Sequence, residues 1–225
     1  QQWLAYETTA LRLLGDGRYA DIVDIGRFVR PYQLPVPEGF DDIESFISAF
    51  LESLVRWHRY QTHPLEQSLR GGSQTPRALT TIDDPVIKAF YRALDDPIRR
   101  YMSAVGNSQD HPLTARNTGD YRITGGWSVK LQGGGKHVNH VHPEGWISSA
   151  YYVSVPEETR ADPGHSGWIK FGEPPFATSP PTPPEKWIRP EAGMLVLFPS
   201  YLWHGTEPIH DGSVRVTAPF DAVPA

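Results

Sequence analysis

The chain has 225 residues, a net charge of -5 and no cysteine. That length makes one large domain or one and a half, able to bury a core without staples, and the missing thiols exclude disulfides and thiolate metal sites, so a transition-metal centre must use His, Asp and Glu. The acidic balance argues against a nucleic-acid surface, and no apolar run approaches the ~20 residues of a membrane-spanning helix.

The chain opens on Gln1-Gln2-Trp3, with neither an initiator Met nor a signal peptide's basic and apolar regions. We expect a cytoplasmic protein with further chain upstream. Residues 3 to 30 read as helical: Trp3, Leu4, Leu11, Leu13 and Leu14 recur near the spacing of one helical face, Gly15-Asp16-Gly17 breaks it, and a second short helix runs from Tyr19 to Val29 until Pro31. A hairpin of this kind resembles the end of a tetratricopeptide array. Residues 41 to 60 give the clearest helix, capped by Asp41-Asp42 and striped by Ile43, Phe46, Ile47, Phe50, Leu51, Leu54 and Val55. His63 to Pro76 reads as a loop, from which Arg70 and Gln74 either form a plain turn or reach a pocket mouth. Residues 84 to 103 read as one helix with Pro85 in its first turn.

From about residue 120 the period becomes two. Trp127, Val129 and Leu131 alternate with polar neighbours, and strands are expected over residues 146 to 155, Trp168 to Phe171, Met194 to Phe198, Leu202 to Thr206 and Ser213 to Phe220, with an extended Pro-rich loop over 173 to 185. Many short strands separated by turns predict a sandwich or jelly roll. The fold class is α+β, mainly β: a helical N-terminal region, residues 1-118, packed on a β core, residues 119-225.

Three of the nine histidines fall within six residues, in His137-Val138-Asn139-His140-Val141-His142-Pro143-Glu144. Two imidazoles at i and i+2 on a strand share a face. His204 from a distant strand can complete one side of a metal and leave the opposite positions open, as redox-active iron requires. Arg215-Val216-Thr217 follows eleven residues after His204. The ligand set reads as His140, His142 and His204, with His142, Glu144 and His204 as the alternative. His137, Glu144, Tyr152 and Trp203 are candidate pocket residues, while His58, His63, His111, His165 and His210 read as surface, capping or turn residues.

This order of residues resembles the double-stranded β-helix oxygenases that use Fe(II) and 2-oxoglutarate. The phrases at 142 to 153 and 193 to 204, within residues 120 to 221, are similar to the 2OG-Fe(II) oxygenase family found behind tetratricopeptide repeats, and His63 to Thr75 looks typical of it. The resemblance implies a dioxygenase, with a hydroxylase as the expected activity, that takes dioxygen and an organic or peptide substrate. It also implies an upstream repeat array. By the same resemblance Arg215 and Thr217 bind the far carboxylate of 2-oxoglutarate, for which a guanidinium's planar fork is suited. Lys130, ten residues before His140, stands where prolyl-hydroxylase-like members have a cofactor-binding Tyr. One departure is His142, where the wider superfamily has a carboxylate. A three-His cupin-type dioxygenase without 2-oxoglutarate therefore stays open, as does a metal-containing binding module.

Overall fold

The computed structural model describes residues 1–59, 67–157, 159, 163–210 and 212–225. Helix α1 (Gln2–Leu14) stops at Gly15, whose φ of 63° is left-handed. Its buried residues are Ala5, Thr8, Thr9 and Leu11. The expected apolar face is thus only partly used: Trp3 and Leu14 are 85% and 79% exposed. The second expected helix is divided into α2 (Arg18–Ile22) and α3 (Ile25–Phe28). The Asp24 side chain accepts from Arg27 N at 2.9 Å and starts a new helix there.

Helix α4 (Ile43–Trp57) is capped by Asp42, which accepts from Ser45 N. Asp84 caps α5 (Pro85–Ala93) through Val86 N and Ile87 N. It also accepts from Ser53 Oγ at 2.6 Å and Arg56 Nη2 at 3.0 Å, tying α5 to α4. The single helix expected over 84 to 103 is two, α5 and α6 (Asp95–Val105). Pro97 explains the break: it has no N–H to give and crowds the preceding turn, so it fits only near the start of a new helix.

Residues 1–118 are not helices alone. Strand β1 (Arg30–Gln33) pairs with a later strand, and Pro31 is tolerated because β1 lies at the sheet edge. Strand β2 (Leu69–Gln74) replaces the described part of the expected loop; residues 60–66, including His63, lie outside the described residues. Gly71-Gly72 falls in the stretch read as a loop, yet it is what lets β2 lie against β4 (Val129–His137): a Cβ on Gly72 would collide with the Lys130 carbonyl.

The main sheet has the order β1-β8-β5-β10-β4-β2, where β4 is Val129–His137, β5 is Ile147–Ser154, β8 is Met194–Pro199 and β10 is Val214–Thr217. Strand β3 (Tyr121–Gly126) joins through β11 (Phe220–Pro224), which also pairs with β5. A second sheet is β7-β6-β9, made of Lys186–Ile188, Ile169–Phe171 and His204–Thr206. Every strand pairing is antiparallel. Strand β5 sits at the centre and sends consecutive tyrosines to opposite sides. Tyr151 joins the aromatic stack of the helical layer, 4.9 Å from Phe90, itself 4.7 Å from Phe50. Tyr152 turns to the other side, where the candidate site lies. One core of buried residues runs from Phe46 and Phe90 in the helices to Leu197 and Phe220 in the sheet, so residues 1–118 and 119–225 share an interior.

His58, expected at the surface or in a turn, is half-buried behind the sheet. Its Nδ1 lies 3.1 Å from Ser73 Oγ and its Nε2 2.9 Å from Ser128 Oγ. Burial, then the charge of Lys130, lowers its pKa to about 4 from 6.5. The unfolded chain therefore binds the extra proton between those values, so stability falls as pH drops from about 6.5 to about 4. Thermal unfolding followed across that window should show a shallower acid slope in His58→Gln than in wild type, and equal slopes would refute the assignment.

Candidate metal centre and co-substrate pocket

His140 and His204 are neighbours through their backbones before their side chains matter. His140 N donates to His204 O at 2.9 Å, and His204 N donates back to His140 O at 3.1 Å. His142 N donates to Ser200 O at 3.0 Å, which anchors the third histidine to the end of β8. Together these contacts draw the His140-x-His142 segment, a loop after β4 and not the expected strand, against the start of β9.

Each ring has its Nδ1 occupied. His140 Nδ1 faces Val138 O at 2.8 Å, His204 Nδ1 faces Leu202 O at 2.9 Å, and His142 Nδ1 faces Asp221 Oδ2 at 2.6 Å. All three partners are acceptors, so Nδ1 carries the proton and Nε2 is left with its lone pair. Those lone pairs converge: one ligand atom from each of His140, His142 and His204 lies within 4.8 Å of the others, and His142 Nε2 is 3.2 Å from His140 Nε2. Burial first, and neighbouring His142 second, lower the His140 pKa to about 3. Burial likewise holds His204 well below its usual value. Neutral imidazoles are the form that binds metal.

Glu144, the alternative ligand, stands exposed on the cavity rim and is not part of this group. His137 lies deeper, with Nδ1 3.0 Å from Ser68 Oγ, and that hydroxyl is 3.3 Å from His140 Nε2. Burial lowers the His137 pKa well below its usual value, and the charge of Arg215 adds to that effect.

The imidazoles line a cavity of about 610 Å³ that also contains Tyr152, Arg215 and Thr217. Strand β10 places Arg215 opposite Leu131 and Thr217 opposite Val129. Cross-strand partners share a face, so the guanidinium emerges from an apolar wall that includes Leu69 and Ile209. Arg215 is 2% exposed. Its Nη1 donates to Gly167 O, its carbon lies 5.7 Å from the Tyr152 ring centre, and its Nε has no hydrogen-bond partner. No carboxylate pairs with it among the described residues, and burial lowers its pKa. The Tyr152 hydroxyl is also buried without a partner. A buried cation and an orphaned hydroxyl in one cavity fit a carboxylate guest.

Two expected pocket residues lie elsewhere. Lys130 pairs with Val216 and Ser73, on the face opposite Arg215, and does not line the cavity; its charge is felt at His58. One residue along a strand reverses the face, and a count of ten residues back from His140 ignores that parity. Trp203 packs against α1, where its Nε1 donates to Thr9 Oγ1 at 2.9 Å and Ala5 O at 3.2 Å. Arg70 and Gln74 reach the cavity, carried there by β2 rather than by a loop. Asp221 is the residue that sequence reading missed. Its signal was a lone acid between Phe220 and Ala222 in an apolar strand.

Comparison with known proteins agrees with this geometry. Residues 125–221 match the family described as "Putative 2OG-Fe(II) oxygenase". No curated protein matches the chain. Among solved structures, the viral collagen prolyl hydroxylase of Paramecium bursaria Chlorella virus-1, in complex with 2OG, is 11% identical with a TM-score of 0.56, over 90% of this chain and 99% of that one. A Trichoplax adhaerens prolyl hydroxylase bound to a peptide fragment of hypoxia inducible factor is 13% identical with a TM-score of 0.57, over 95% and 92%. A Pseudomonas putida prolyl-4-hydroxylase is 15% identical with a TM-score of 0.56, over 92% and 98%. At these identities the likeness is one of fold, the double-stranded β-helix. The family match spans the three imidazoles, Arg215 and Asp221, and by that match residues 125–221 are the oxygenase core of an Fe(II)- and 2-oxoglutarate-dependent oxidoreductase.

Proposed function

We propose that this chain is a hydroxylase whose iron is held by His140, His142 and His204 and whose 2-oxoglutarate is held by Arg215, Thr217 and Tyr152. The observation that carries the reading is the buried Arg215, which has no anionic partner among the described residues and shares one cavity with three convergent Nε2 atoms. Bound Fe(II) with 2-oxoglutarate supplies an oxidant from dioxygen as the keto acid loses carbon dioxide. The protein's part is to bind, orient and keep water out. In this reading the Arg215 fork receives the far carboxylate, and the hydroxyls of Thr217 and Tyr152 would donate to it. Leu69, Val129 and Leu131 form the dry wall behind that contact. Arg70 and Gln74 at the cavity's edge offer polar contacts to an organic or peptide substrate.

In this proposal residues 1–118 cover the catalytic core of 119–225 and also lend it β1 and β2. An upstream helical repeat array leading into α1 belongs to the same reading. No helix of the described residues is long and apolar enough to cross a membrane. The cytoplasm, a compartment that supplies both 2-oxoglutarate and reduced iron, suits this chemistry.

The test is anaerobic calorimetry of 2-oxoglutarate into Mn(II)-loaded protein, followed by succinate release from the Fe(II) enzyme in air. Metal-dependent binding with succinate formed mole for mole from 2-oxoglutarate is the expected result. Metal binding without any 2-oxoglutarate binding would move the assignment to a three-His dioxygenase.

A further inference from the structure

The three imidazoles are not held alike. His140 and His204 present Nδ1–H to backbone carbonyls, which carry no net charge. His142 presents its own to the Asp221 carboxylate at 2.6 Å. That carboxylate is fixed in turn: Oδ1 accepts from Ser148 Oγ at 2.7 Å, and Ser148 Oγ lies 2.8 Å from Ser200 Oγ. Pairing of β11 with β5 sets Asp221 opposite Ser148, so the contact comes from sheet register and not from a mobile loop. The side chains of His142 and Asp221 are 14% and 15% exposed, and the Trp127 ring stacks on His142 at 14° with centres 6.1 Å apart.

We infer that Asp221 is a positioning residue that fixes His142 as an Nε2 ligand and returns to the site the negative charge that three neutral imidazoles leave out. This rests on the proposed ligand set. The carboxylate stands one imidazole behind the metal instead of on it. A hydrogen bond from Nδ1–H to an anion makes the opposite nitrogen a stronger donor, and it locks both the tautomer and the ring plane. Among the described residues the three candidate ligands have this one anionic partner, and it serves the histidine that stands at the superfamily's carboxylate position.

The test is Mn(II) affinity, read by electron paramagnetic resonance, in wild type, Asp221→Asn, Ser148→Ala and His142→Asp with and without Asp221→Asn. Asp221→Asn keeps the side chain's shape and removes its charge. It should weaken Mn(II) ten- to a hundredfold, the range for losing such a partner, with the far-ultraviolet circular dichroism of the apo-protein unchanged. Ser148→Ala, which only loosens the carboxylate, should weaken it less. In His142→Asp the charge is on the ligand itself, so adding Asp221→Asn should no longer weaken Mn(II). A proton spectrum of the Zn(II)-loaded protein should show a far-downfield His142 Nδ1–H that is lost or moved upfield in Asp221→Asn. Wild-type Mn(II) affinity in Asp221→Asn, or an equal loss in the His142→Asp background, overturns the inference. Failure of wild type itself to bind Mn(II) would instead overturn the proposed ligand set.

Discussion

Replacing Arg215 with lysine should weaken 2-oxoglutarate ten- to a hundredfold while Mn(II) or Fe(II) affinity stays as in wild type. Lysine keeps the charge and loses the fork. A charge-assisted hydrogen bond of this kind is worth about 1.5 to 3 kcal/mol, which is the stated loss. Arg215→Met goes further and should abolish 2-oxoglutarate binding. It should also raise the melting temperature of the apo-protein, because the native cation is buried with an unbonded Nε and no carboxylate partner among the described residues. A gain in stability together with loss of the co-substrate marks a residue kept for its ligand. Lys130→Ala should leave 2-oxoglutarate affinity unchanged, since Lys130 faces away from the cavity. Anaerobic calorimetry on the Mn(II)-loaded variants measures all three. Wild-type affinity in Arg215→Lys would remove this arginine from the co-substrate site.

His140→Ala and His204→Ala should each abolish stoichiometric iron binding, because two imidazoles hold Fe(II) poorly. The readout that separates this from misfolding is the metal's own effect on melting. An ion at a hundred times its Kd stabilises the folded state by about 2.7 kcal/mol. In a domain of this size that raises the melting point by roughly 5 to 10 °C. Wild type should show the shift and both variants should melt at one temperature with or without Fe(II). Retention of the shift in either variant would take that histidine out of the ligand set.

The β core was legible because its signals are local. Alternation, apolar runs and strand formers marked most strands after residue 120, and Arg215-x-Thr217 announces a shared face; His140-x-His142 lies instead in the loop between β4 and β5, with an isolated bridge from His140 to His204. What was not legible depends on which strand lies beside which. Gly71-Gly72 falls in the stretch read as a loop and serves as the close-packed middle of β2. Lys130 has the right spacing from His140 and the wrong side of the sheet. Trp203 sits beside a ligand in sequence and is claimed by α1. Asp221 reaches His142 from 79 residues away, through a register that no short motif encodes. Proline placement decided the helical surprises: Pro97 begins a new helix, and Pro31 lies in an edge strand.

The reciprocal bonds between His140 and His204 are made by backbone N–H and C=O groups, not by the imidazoles. Metal centres assembled from a flexible chain collapse when a chelator removes their ion, because coordination and folding are the same event there. Here the donors are already gathered by the sheet. Stripping the iron should leave an empty socket of nearly unchanged shape, so a protein inactivated by chelation or by iron oxidation can be restored by simple reloading, with no refolding step in between.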